Sequence, residues 1–116
     1  MTMVQQLGQV VAERRLEAVA ADGTRTPVTV LIGAPVPDPA GGGDWFCPHR
    51  VDGLGEDSAG GAFGVDSLQA LLLSVHALRL GLDQRAEEAS VRLEWLGLPD
   101  TGLTVPPPFL GLRPRG

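Results

Sequence analysis

Hydrophobic and polar residues along the chain change period several times, and the changes divide it into elements. Between residues 10 and 20 the pattern alternates, with Ala12, Leu16, Ala18 and Ala20 on one side and Glu13, Arg15 and Glu17 on the other. Arg14 interrupts the apolar side. A period of two is that of a half-buried strand. Ala21-Asp22-Gly23-Thr24 follows, carrying the Asp-Gly pair favoured in tight hairpin turns. The β-branched run Thr26 to Ile32 then reads as a second strand, ending at Gly33-Ala34-Pro35. Residues 35–43 hold three prolines and three glycines and predict an exposed connection. Over Asp44 to Asp52 the period of two returns, placing Trp45, Cys47, His49 and Val51 on one face and Phe46, Pro48 and Arg50 on the other. Pro48 lacks a ladder donor, which predicts an edge position or a bulge. The glycine-rich run Gly53 to Gly64 predicts a flexible loop.

At Asp66 the period lengthens. Asp66 is a helix N-cap with Gln69 in the capping-box position, and a helix is predicted from there to about Leu82. At 100° per residue, Leu68, Leu71, Leu72, Val75, Leu78 and Leu82 form one stripe, expected to face the sheet. Leu73 and Leu80, with Ala70, Ala77 and His76 beside them, form a second apolar strip that needs its own cover. Residues 83–90 are polar and either extend the helix past Gly81 or form its exit. Val91 to Leu96 alternates as a short final strand. Beyond Gly97, prolines at 99, 106, 107, 108 and 114 predict an extended, polyproline-like tail. The expected fold is α+β: an antiparallel sheet of three or four strands packed on one long helix. Residues 1–9 form a flexible N-terminus, 10–96 a single domain, and 97–116 the tail.

Length and composition agree with one modest core. The chain has 116 residues, 43% of them hydrophobic, with 16 Gly and 10 Pro. Its net charge of -5, with nine basic residues that are all arginine and spread along the chain, argues against nucleic-acid binding. The helix is too short and carries too many polar groups to span a membrane, and no apolar leader follows a basic N-terminus. A single cysteine excludes an internal disulfide, so a cytoplasmic location is expected.

Candidate chemistry is sparse. Cys47 and His49 lie two apart on a strand and point to one side, as a thiolate–imidazole pair or half a metal site requires. A zinc site would need His76 and carboxylates such as Asp44 or Asp52 to complete it. Free cysteine is more often a small core residue. The glycines of 53–64 precede a helix N-terminus, where phosphates can bind, but no lysine is present and Glu56, Asp57 and Asp66 repel anions. Glu13, Glu17, Glu87, Glu88 and Glu94 all sit in surface-like patterns. No catalytic, cofactor-binding or metal residues are therefore assigned, and no cofactor is expected.

Gly64-Val65-Asp66-Ser67-Leu68-Gln69-Ala70-Leu71, with Asp44-Trp45-Phe46-Cys47-Pro48 and Val30-Leu31-Ile32-Gly33-Ala34-Pro35 before it, resembles a family of short bacterial proteins known only as a domain of unknown function. The resemblance spans about residues 13–101. It implies three strands followed by a helix and carries no activity, cofactor or partner.

The expected function is a non-enzymatic interaction domain, an accessory or immunity-like subunit that binds a protein partner or itself. Its surface would include Leu73, His76, Ala77 and Leu80 on the helix and Phe109, Leu110 and Leu112 in the tail. The tail could strap this helix or dock on another chain. The alternative is a small enzyme or a ligand- or metal-binding domain centred on Cys47, His49 and the Gly53 to Gly64 loop.

Overall fold

A computed structural model of the chain describes residues 7–55 and 58–103. The strands are β1 (Val10–Ala20), β2 (Arg25–Gly33), β3 (Val36–Pro37), β4 (Trp45–Asp52), β5 (Ser58–Gly64) and β6 (Val91–Glu94), with one helix, α1 (Ser67–Ala89), between β5 and β6. All pairings are antiparallel. The sheet runs β5-β4-β2-β1-β6, and β3 continues the line of β2 beside the first residues of β4. This is the expected α+β architecture, with more strands than the alternation revealed.

The hairpin between β1 and β2 closes where the Asp-Gly pair predicts. Gly23 N–H donates to the Ala20 carbonyl (2.9 Å), and Ala20 N–H donates to Thr24 (2.9 Å). Asp22 accepts from Thr24 N–H at 2.9 Å, as an Asx turn does.

The main departure is the glycine run, expected to be a loop: residues 58–64 form β5. Two of its glycines are required by close packing. A Cβ on Gly61 would collide with the Phe46 ring and the Cys47 carbonyl, and one on Gly64 with the backbone of Ala70 in α1. β5 therefore has few side chains because β4 and the helix approach it closely. Nor does β4 lie at an edge as Pro48 suggested. It has neighbours on both sides, and Pro48 occurs where the β2 line gives way to β3.

Asp66 caps α1 by accepting from Gln69 N–H at 2.7 Å, while Gln69 Oε1 accepts from Val65 N–H at 2.8 Å. The cap is reciprocal, shifted one residue back from an ideal capping box. The helix passes through Gly81 and ends at Ser90, which is left-handed (φ 57°) and donates to the Ala86 and Glu87 carbonyls.

The sheet-facing stripe differs from the leucine pattern. Ala70, Ser74, Leu78, Leu82 and Ala86 are buried, flanked by half-buried Leu71 and Val75, whereas Leu68 and Leu72 are 61% and 59% exposed. Small residues face the sheet where the helix meets Gly64, which rotates the leucines outward. The core also contains Leu16, Ala18, Val28, Val30, Ile32, Cys47, Val51 and Leu93 from the sheet.

α1 starts at the end of β5 on one edge of the sheet and delivers the chain to β6 on the other, so it crosses the sheet diagonally. Irregular segments close the two corners it leaves. Leu54 is buried at one, where Arg85 donates to its carbonyl at 2.6 Å. At the other, Arg14 lies 3.8 Å from the centre of the Trp95 ring and donates to the carbonyls of Thr101 (3.1 Å) and Gly102 (2.6 Å). Thr101 is buried and Leu103 packs against the core. The domain's packing thus extends past residue 96 into the segment read as tail.

Candidate functional site

Along the outward side of α1, Leu73 is 42% exposed and Leu80 50%, with His76 exposed between them and Ala77 half-buried. His76 Nδ1 lies 3.5 Å from an Arg79 guanidinium nitrogen. With Leu68 and Leu72 displaced from the core, four exposed leucines lie between residues 68 and 80 of the helix, Leu68 and Leu72 on one side and Leu73 and Leu80 on another. Phe109, Leu110 and Leu112, assigned to the same surface from sequence, lie outside the described residues.

Cys47 and His49 share the helix-facing side of β4, as their spacing requires. Cys47 is completely buried, and its thiol donates to the Gly33 carbonyl at 3.4 Å. Burial pushes the thiol above its ordinary value, partly offset by the nearby Ser74 hydroxyl. That hydroxyl is buried with no hydrogen-bond partner of good geometry, leaving the sulfur, a weak acceptor, as its polar neighbour. His49 packs under Gly60, and its Nδ1 is buried without a partner. Burial holds its imidazole below the ordinary histidine value. Among the described residues, no three His, Cys, Asp or Glu side chains gather as metal ligands.

The opposite face of the sheet carries two features that sequence reading left unassembled. At the β6 end, Arg25 bridges Glu17 (2.9 Å) and Glu94 (3.0 Å), and Arg92 holds Glu94 at 2.8 Å. Glu94 is covered by these arginines rather than by the core. Their hydrogen bonds, Arg92's first, hold its carboxyl below the usual range. At the other end an apolar recess of about 440 Å³ is lined by Leu7, Val36, Phe46, Pro48 and Phe63. The Phe46 and Phe63 rings tilt against each other at 4.8 Å between centroids. The alternation already placed Phe46 and Pro48 on this face; Phe63 escaped because its strand looked like a loop.

No helix among the described residues is long and apolar enough to cross a membrane. Comparison with curated proteins and with solved structures gives no match. A family model described as a domain of unknown function (DUF6968) matches residues 12–106, which takes in the helix and all of the sheet but the first two residues of β1, and the chain belongs to that family.

Proposed function

We propose that the protein is a non-enzymatic interaction domain, an accessory or immunity-like subunit that acts by contact with a protein through the outward side of α1. The observation that carries this reading is the exposure of Leu68, Leu72, Leu73 and Leu80 on one helix. A single exposed leucine is ordinary, but four on one helix of a small domain favour a contact role. The helix is anchored by its cap and by Ala70, Ser74, Leu78 and Leu82 beneath it, so its exposed leucines are presented on a preformed element. An enzyme or metal site around Cys47 and His49 is the weaker reading. The thiol is enclosed and raised in pKa, opposite to what a nucleophile needs, and the neighbouring glycines form a strand rather than a ligand-binding loop.

A photo-crosslinking amino acid placed at Leu80, with a second placement at Asp22 in the β1–β2 turn as control, tests the reading in cells of the native host. A discrete protein adduct from position 80 that is missing from position 22 is expected. No adduct, or the same adduct from both positions, overturns it.

A further inference from the structure

The two edges of the sheet are built differently. β6 has four residues, carries Arg92 and Glu94, and is followed at once by the tight Trp95–Leu98 bridge. Charge and shortness are the usual protections of an edge strand against pairing with another chain. β5 has neither. Its seven residues, Ser-Ala-Gly-Gly-Ala-Phe-Gly, include no charge and no proline, and among the described residues β4 is its only strand neighbour. α1 lies over this strand, with the backbone of Ala70 packed closely on Gly64. Phe63, its one large side chain, is 53% exposed, and Ala59, two positions along the same face from Gly61, is also exposed.

We propose that β5 is the self-association edge of this protein, pairing antiparallel with β5 of a second copy about a twofold axis at Gly61. Antiparallel pairing of identical strands is self-complementary, and Gly61 is the midpoint of Ser58–Gly64, so this register uses the whole strand. It places Phe63 of each copy opposite Ala59 of the other, and Ala62 opposite Gly60. The only large side chain of the strand thus meets a small apolar one twice, and within Ser58–Gly64 no like charges face each other. A foreign strand would need to supply a small residue opposite Phe63; a second copy supplies it by symmetry. Seven paired residues make a small contact, so the dimer is reversible, with a dissociation constant on the order of micromolar to tens of micromolar. The site is distinct from the helix surface and stands without it.

Sedimentation of the full chain over a concentration series, with three variants, tests this. In A59E/F63E the proposed register sets like charges opposite one another; in A59E/F63K it sets opposite charges there, while both lose the same Phe46–Phe63 contact. Ala59 lies beside Arg50 in the sheet, so the first substitution suits the monomer. Wild type and A59E/F63K are expected to dimerise, A59E/F63E to sediment as a monomer at least tenfold above the wild-type midpoint, and L73E/L80E on α1 to dimerise as wild type does. A wild-type monomer throughout, equal behaviour of the two strand doubles, or loss of the dimer in L73E/L80E overturns the proposal. A monomer that still gives the position-80 adduct overturns the β5 pairing and leaves the helix contact standing.

Discussion

Ser74 is the residue whose chemistry disagrees most with its place. It is fully buried at the centre of α1's sheet-facing side, and its hydroxyl has no good partner. A buried hydroxyl without a bond loses hydration and gains little in exchange. Ser74→Ala removes that burden and improves helix propensity, so stability should rise by about 1 kcal/mol, read as a higher urea midpoint at unchanged slope. A loss of stability would mean that the hydroxyl is bonded after all. His49 and Glu94 contribute to how stability depends on acid, Glu94 alongside the exposed Asp22 carboxyl, which its hydrogen bond from Thr24 N–H also holds low. Both carry folded pKa values below their ordinary ones of 6.5 and 4.5. A lowered folded value means stability that is present above the unfolded pKa and lost as pH falls through the folded one. The two losses start in different windows, His49 below about 6.5 and Glu94 below about 4.5. Urea midpoints between pH 8 and 3 should therefore fall in two stages, with Glu94→Gln flattening only the lower. An unchanged lower stage in that variant would place the acid sensitivity elsewhere.

For the helix, rotation is the point at issue. The expected stripe contained Leu68 and Leu72; the observed one contains Ala70 and Ser74 in their place. Leu78→Ala should then cost about 3 kcal/mol as a buried truncation, while Leu72→Ala should cost less than about 0.5 kcal/mol. Thermal or urea unfolding of the pair decides this, and equal losses would restore the leucine-rich stripe as the buried one. The reason the rotation escaped the sequence is physical. Hydrophobic periodicity weighs side-chain size, but a helix that touches backbone at Gly64 needs small residues at the contact, and those score poorly. The same cause hid β5, whose glycines read as flexibility until Phe46 and Ala70 are seen to fill the space above Gly61 and Gly64. What was legible was set locally: the alternation of β1 and β4, the Asp-Gly hairpin and the Asp66 cap each depend on a few neighbouring residues. Of the candidate surface, Leu73 and Leu80 could be placed from helix angle alone. Phe63 could not, because its exposure depends on strand pairing.

At the scale of the molecule, one helix laid diagonally cannot cover a five-strand width, and two arginines make up the difference. Arg14 sits on the core-facing side of β1, where an apolar residue was expected, and the reason is at the far end of the domain. Its guanidinium stacks on Trp95 and donates to the Thr101 and Gly102 carbonyls, so one side chain closes the corner that α1 leaves open. Gly102 fits there because it has no side chain: its φ is +69°, and a Cβ would strike the Trp95 ring. Since few other bonds hold residues 99–103, this corner should open independently of the sheet. Arg14→Gln is therefore expected to raise hydrogen exchange at Thr101 to Leu103 at least tenfold while amides of α1 around Leu78 stay protected, with only a modest loss of global stability. Uniform acceleration of both regions would instead make Arg14 part of the global core, and the corner would then unfold only when the whole domain does.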